Sequence, residues 1–365
     1  MNYPKITVIT PSHNQGAHIE PTILSILNQG YPNLEYIVID GKSTDNTLEI
    51  IAKYQGKIVD KILYFVSEKN NGLNDAINKG LSMATGEIIS ILNAGDYYEP
   101  YALFKVATTF TSERINVVCG RGRIFKDNFK DNQKGQQANQ ETIKITEGAN
   151  VFAYNLAKTI GWASINQPET FFRKTVVDKI GLLNINLDTF VATDWWIRYL
   201  FAFGVENIIK TMDLLVNVRE NMNENVRENN ILESKKAAQI ISRDIINRDI
   251  INRDTFYYLL ASRLRLYDYS YVIKNNSILK PDFDIENTDY HSDNYQNDGD
   301  EFLSLKSLNY FALLRANEAF AEKNIIKTKD FLKQVQQNLL DNEDKKLYSN
   351  LSFKCKLPSW LRKIL

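Results

Sequence analysis

The sequence predicts an α/β fold on a mostly parallel sheet, followed by an α-helical C-terminal region. Two observations lead there. The first is alternation: four short runs rich in Ile and Val, residues 5–10, 34–40, 61–67 and 87–92, are separated by helix-like stretches at residues 19–28, 46–54 and 73–84. Runs that are apolar throughout suit strands buried on both faces, and strand, helix and strand at this interval imply right-handed crossovers. The second observation is a polar cluster at the C-terminal end of each run. The clusters are Thr10-Pro11-Ser12-His13-Asn14, Asp40-Gly41-Lys42-Ser43-Thr44-Asp45, Ser67-Glu68-Lys69-Asn70-Asn71-Gly72 and Asn93-Ala94-Gly95-Asp96. Open parallel sheets bind ligands outside the carboxyl ends of their strands, so all four clusters converge on one edge.

Bulk properties narrow the classes. The chain has 365 residues, enough for one large domain with an annex or for two domains. Lys plus Arg equals Asp plus Glu at 44 each, so no global charge points to nucleic acid. The only cysteines, Cys119 and Cys355, form neither a disulfide framework nor a zinc pattern, which fits a reducing compartment. No apolar run is long enough to span a bilayer, and the N-terminus enters a strand almost at once. A cytoplasmic protein without a signal peptide is the expectation.

Taken individually, the residues at the strand ends suit a nucleotide. Asp40 can accept hydrogen bonds from a base or a ribose, and Asp45 reads as the cap of the following helix. Gly72 permits a tight turn into a helix on which Asp75 and Asn78 share a face with the loop that carries Glu68 and Asn71. Asp96, with Asn93 beside it, offers oxygen ligands of the kind that Mg²⁺ and Mn²⁺ prefer. Asn, Gly and Asp also dominate turns, so the three companion loops carry the argument for a site.

Several motifs in order resemble the family 2 glycosyltransferases of bacterial polysaccharide biosynthesis and the cell envelope. They are Ile9-Thr10-Pro11-Ser12-His13-Asn14-Gln15-Gly16, the run from Asn28 to Gly41, Asp75-Ala76-Ile77-Asn78-Lys79-Gly80 and Ala84-Thr85-Gly86-Glu87-Ile88. The resemblance covers roughly residues 1–220 and implies a GT-A fold. It also implies inverting transfer of a sugar from a nucleoside diphosphate donor, with UDP expected, to a saccharide or lipid-linked acceptor. It assigns donor contacts to Thr10, Pro11, Ser12, Asn14, Asp40, Glu68, Asn71, Gly72, Asp75, Asn78, Asn93, Ala94 and Gly95, and a divalent metal, Mn²⁺ or Mg²⁺, to Asp96. Two positions depart from the family pattern: Gly41 and Gly95 stand where acids are usual.

The acceptor side is read in the same way. Gln167-Pro168-Glu169-Thr170-Phe171-Phe172-Arg173 and Ile180-Gly181-Leu182-Leu183 resemble the family's acceptor segment, and Asp194 aligns with its general base. Gln167 and Glu169 are expected to line the acceptor pocket or to pair locally. Arg198 either binds phosphate or pairs with a carboxylate. Thr193 reads as the N-cap of a helix that Gly204 stops, which puts Asp194 in a positive first turn. Trp196, Tyr199, Leu200 and Phe203 recur at helical spacing and belong to a core, whereas Trp195 lies off that stripe and can either face a sugar or pack.

Residues 221–365 read as a mostly helical extension to the GT-A domain of residues 1–220. A five-residue repeat, present three times over 240–254, spirals its Ile pairs around a helix, and an acidic, Asn-rich linker lies near 282–301 without the ligands of a calcium loop. Residues 303–340 read as a helical hairpin. The basic, amphipathic residues 352–365 suit either peripheral contact with an anionic membrane or docking on the protein itself. Alternatives to a transferase are a non-catalytic sugar-nucleotide binder or scaffold, and a nucleotidyltransferase. The loop after the first strand lacks the Gly-rich, basic character of the latter.

Overall fold

The computed structural model describes residues 3–55, 62–68, 72–128, 139–162, 164–185, 191–220 and 298–358. They form two units, one of residues up to 150 and from 164 to 220, the other of residues 151–162 and 298–358.

The first unit is built on a sheet whose parallel half is the one expected: β1 (Ile6–Ser12), β2 (Leu34–Asp40), β3 (Ile62–Ser67) and β4 (Ile88–Ile91) lie in the order β3-β2-β1-β4. All residues of β1, β2 and β4 are buried, which explains why they read as unbroken apolar runs. Helices α1 (Ile19–Leu27), α2 (Thr47–Tyr54) and α3 (Leu73–Met83) make the crossovers. The strands end level, because Ser12 pairs with Asp40 and Asp40 with Ser67. Chain order reverses about β1, which has β2 on one side and β4 on the other; such a switch point opens a crevice between strand ends.

The rest of the sheet is mixed. After the short β5 (Tyr97–Tyr98) and helix α4 (Ala102–Thr109) come β6 (Val117–Asn128), β7 (Asn139–Thr146), β8 (Thr170–Arg173) and β9 (Ile208–Arg219). β8 joins β4 to β6 with antiparallel pairing on both sides, β9 runs parallel to β6, and β5 pairs antiparallel with β9. Helix α6 (Lys174–Ile180) leads to α7 (Val191–Phe203), which begins before Thr193 and ends at Gly204 with φ 71°. Trp196 and Tyr199 are fully buried and stack at 4.9 Å, as their spacing predicts.

The second unit is helical. It contains α5 (Leu156–Gly161), α8 (Asp298–Ala321), α9 (Ile325–Leu332) and α10 (Asn342–Lys356). The expected hairpin is α8 with α9, and Asn324 caps the second helix through the Lys327 amide at 3.1 Å. The helices close on Tyr310, Leu313, Ala316, Phe331, Leu332 and Leu351. The repeat at 240–254 and the tail at 359–365 lie outside the described residues.

Candidate functional site

The switch point lies where β1 ends in Ser12 and β4 runs into Asn93-Ala94-Gly95-Asp96. The turn is fixed from α1: the Thr22 hydroxyl donates to the Asp96 carbonyl at 2.7 Å and accepts the Gly95 amide at 2.9 Å. Gly95 has φ 104°, a conformation that side chains with a Cβ resist, and a Cβ there would also lie 3.6 Å from Arg219 Nε. That is a local reason for glycine where the family has an acid.

Asp96 is 5% exposed and incompletely satisfied. Oδ1 accepts the Arg219 backbone N–H at 2.9 Å, while Oδ2 receives only the Asn93 amide at 3.4 Å. Burial pushes its carboxyl up to about 7, against the Arg219 amide, Asn93 and the Arg219 charge, with the Glu169 charge adding to the rise. Two buried oxygens beside it form no hydrogen bond, Asn93 Oδ1 and Ser12 Oγ. Buried polar atoms are rarely left so, and these two lie at the strand ends beside the crevice.

Positive charge stands over the same turn. The Arg219 guanidinium lies 5.0 Å from the centre of the Phe125 ring and is held below its ordinary value by burial. His18 is lowered by burial and then by Arg219. Neither residue stood out in the sequence. β9, which delivers Arg219, was not legible as a strand, and His18 carried no motif.

The other strand-end residues are mainly spent on holding loops. Asp40 is fully buried and accepts the Ser43 amide at 2.9 Å, the Ser43 hydroxyl at 2.5 Å and the Ser67 hydroxyl at 2.9 Å. It ties two loops together instead of being presented to a base or ribose. Asn14, at φ 53°, accepts the Thr44 amide at 2.8 Å, and its own amide donates to Ser43 Oγ at 2.8 Å. Asp45, expected to cap α2, instead precedes the cap residue Asn46 and accepts the Thr47 amide at 3.0 Å and the Gly16 amide at 2.9 Å, tying two loops. Thr10 and Pro11 are buried within β1, and the Thr10 hydroxyl accepts from Tyr36 at 3.2 Å, so Thr10 is a core residue and not a loop contact. Glu68 and Asp75 both pair with Lys79, at 3.0 and 3.3 Å, beside Gly72 at φ 107°. Asn78 is committed to the backbone of Leu183, donating to its carbonyl at 2.7 Å and accepting its amide at 2.9 Å. Asn71 lies outside the described residues.

On the acceptor side the expectations divide. Gln167 and Trp195 line one small apolar cavity of about 30 Å³. Trp195 is 5% exposed, packs on Phe172 at 4.9 Å and donates its indole N–H to the Gly181 carbonyl at 3.3 Å, so its polar end is spent on packing. Glu169 is 1% exposed and packs against Gly122, where a Cβ would come within 2.0 Å of its carboxylate. Its Oε1 accepts from the Thr146 hydroxyl, its Oε2 forms no hydrogen bond, and burial raises its carboxyl.

Asp194 does not stand as an open base. It is 2% exposed, and its Oδ2 accepts both Nε and Nη2 of Arg198, each at 3.0 Å. The same guanidinium donates to the carbonyls of Ile180 and Leu182. Of the two alternatives for Arg198, pairing with a carboxylate is the one found, and the pair anchors the segment before α7.

A family model described as Glycosyl transferase family 2 matches residues 7–180. Through this segment, just under half of the chain, it is similar to that family. The matched segment holds the switch point and the Gln167–Glu169 turn, on the α/β sheet that the resemblance implied. An uncharacterized glycosyltransferase of Nostoc sp. is 33% identical over 176 residues, 48% of this chain and 53% of the relative. An uncharacterized glycosyltransferase of Haemophilus influenzae is 40% identical over 100 residues, 27% of this chain and 38% of the relative. A GalNAc(5)-diNAcBac-PP-undecaprenol beta-1,3-glucosyltransferase of Campylobacter jejuni is 38% identical over 94 residues, 26% of this chain and 30% of the relative. The chain spans about half the length of the first of these and less of the others. Among solved structures, S. aureus TarS 1–349 in complex with UDP superposes with a TM-score of 0.49 at 15% identity, over 96% of this chain and 87% of that one. Among the described residues no helix is long and apolar enough to cross a membrane, and no group of three or more His, Cys, Asp or Glu is arranged to hold a metal.

Proposed function

We propose that this chain transfers a sugar, with inversion, from a nucleoside diphosphate donor, UDP-linked by expectation, to a hydroxyl of a glycan or lipid-linked saccharide. The observation that carries the reading is the pair of unpartnered oxygens, Ser12 Oγ and Asn93 Oδ1, flanking an under-satisfied Asp96 at the switch point. A lipid-linked acceptor is supported by the Campylobacter jejuni relative, whose name specifies a PP-undecaprenol saccharide.

The residues divide the work by chemistry. Ser12 and Asn93 supply hydrogen-bonding oxygens to the donor, and Arg219, with His18 beside it, supplies positive charge where a diphosphate would leave. Asp96 Oδ2 and Asn93 Oδ1 are the atoms that would hold a divalent ion. The under-compensated carboxylate and the bare amide oxygen fit one, with the donor's phosphates and water completing the oxygen shell. When bound, such an ion neutralises charge on the departing diphosphate.

An inverting displacement also needs a group to take the proton of the acceptor hydroxyl. Glu169 suits that role better than Asp194. Burial raises its carboxyl against hydrogen bonds from Thr146, Asn166 and the Gly148 amide and against the Lys144 charge, whereas Asp194 is neutralised by Arg198. We therefore assign proton uptake to Glu169 and give Asp194 a positioning role, holding α7 to the turn at 180–182. Calorimetric titration of UDP with and without Mn²⁺ tests the donor site, and UDP release from UDP-sugars tests transfer. Tight UDP binding that Asp96→Asn weakens is expected. Absence of UDP binding under every condition would remove the reading.

A further inference from the structure

The cavity beside Gln167 has a composition that selects among sugar substituents. Its walls are Leu81 from α3, Ile91 from β4, Phe172 from β8, Leu183 from the segment before α7, and Ala192 and Trp195 from α7. At about 30 Å³ it holds roughly two to three water-sized groups, yet a water needs two to four polar partners, and this lining does not offer them. The Trp195 indole N–H is spent on Gly181, and the Thr170 hydroxyl donates to the Asn166 carbonyl at 2.8 Å. What remains is Gln167 Nε2, buried and without a hydrogen-bond partner.

The cavity is also built to stay open. Leu183 is fixed by the two reciprocal hydrogen bonds from Asn78, and Arg198 fixes the carbonyls of Ile180 and Leu182 just before it. A wall held at its backbone in this way is preorganised for an occupant. Ile91 precedes Asn93 by two residues, a rise of about 7 Å along a strand, so the cavity lies within a sugar ring's reach of the switch point.

An occupant must therefore bring one hydrogen-bond acceptor on an otherwise apolar body of about three heavy atoms. A bare methyl group leaves Gln167 Nε2 unpaired, and a hydroxymethyl group supplies an acceptor but no methyl to cover the apolar walls. An acetyl group, with one carbonyl oxygen and one methyl, matches both demands. Resting on the transferase reading, we infer that this cavity recognises the acetamido group of a 2-acetamido sugar: its carbonyl accepts from Gln167 Nε2 and its methyl packs against Trp195 and Phe172. The chemistry is the same whether that sugar arrives on the donor or stands on the acceptor.

The test compares matched pairs on the full chain. Binding of UDP-GlcNAc against UDP-glucose, by calorimetry, forms the donor arm. Binding of the methyl glycosides of N-acetylglucosamine and glucose in the presence of UDP, by saturation-transfer NMR, forms the acceptor arm. A preference of about tenfold for the acetamido member is expected in one arm, which then names the source, with the strongest saturation on the acetyl methyl if it is the acceptor arm. Gln167→Leu removes the donor at similar volume and Ala192→Leu fills the cavity; each is expected to cut the preference to about twofold or less, with UDP affinity as the check on folding. Equal binding of both members in both arms, with UDP still bound, would overturn the inference and leave the transferase reading intact. Loss of UDP binding with the glycoside preference retained would do the reverse.

Discussion

Asp96 and Asp194 are both buried carboxylates in one unit, 5% and 2% exposed, yet their surroundings differ. Asp194 receives a guanidinium fork from one turn further along its own helix, and that guanidinium is itself consumed by backbone carbonyls. Asp96 receives one backbone N–H and a long amide contact, beside two oxygens with no partner. A carboxylate satisfied on all sides is part of the scaffold; one left short is waiting for chemistry from outside.

The largest expected effect falls on the under-satisfied side. Asp96→Asn and Glu169→Gln should each lower the rate of transfer by roughly 10²- to 10⁴-fold while leaving the melting temperature within a few degrees, because the amide oxygen of each variant still accepts the hydrogen bond from Arg219 or Thr146. A matching drop in stability would place these residues with Asp194. On the satisfied side, Asp194→Asn and Arg198→Ala should each cost about 3–5 kcal/mol of stability, read by urea unfolding, since each leaves a buried partner uncompensated. The double variant should cost well under the sum. If Asp194→Asn instead left stability unchanged and abolished transfer, Asp194 would regain the role of base.

Glu35 extends the satisfied class to acid pH. Burial alone would raise it, but the hydroxyls of Thr7 and Thr85, the Thr85 amide and Lys5 outweigh that and bring it to about 2. Its folded value is below its unfolded one, so its contribution is present above the ordinary glutamate range and is lost as pH falls from about 4.5 toward 2. That contribution is on the order of 3 kcal/mol, and Glu35→Gln should flatten the acid limb of a stability–pH curve measured by urea unfolding. The smallest effect is expected from Ser12→Ala. Removing a hydroxyl with no partner should leave the melting temperature unchanged and weaken UDP by about three- to tenfold.

How much was legible depended on whether the deciding contact was local. β1 to β4 read directly because strands buried on both faces are continuous apolar runs. The Asp194–Arg198 pair was also within reach, since residues four apart on a helix are neighbours. β6 and β9 were missed because Arg121, Arg123 and Lys126 interrupt the first, while Lys210 and Asp213 break up the second; β8 is only four residues long. With β9 went Arg219, whose amide meets Asp96 across 123 residues of chain. No spacing rule reports a contact made by strand pairing at that distance. The native partners of the donor residues were out of reach for the same reason: Asp40, Asn14 and Asn78 have the right chemistry for a ligand, and their oxygens also accept hydrogen bonds from other segments of the chain.

One feature of the helical unit bears on how this protein can be cut. α5 comes from residues that interrupt the first unit, yet it is locked among the C-terminal helices: Lys158 reaches Asp344 at 2.7 Å beneath the rings of Phe152 and Trp162, and a Cβ on Gly161 would lie 2.4 Å from the Ser307 carbonyl. The backbone therefore passes between units three times, not once. A stop codon after residue 220 does not release a clean first unit; it strands α5 without the helices that cover Ala157. Shortening or grafting this protein calls for replacing residues 151–163 together with the C-terminal helices, as a single spare part with two attachment points.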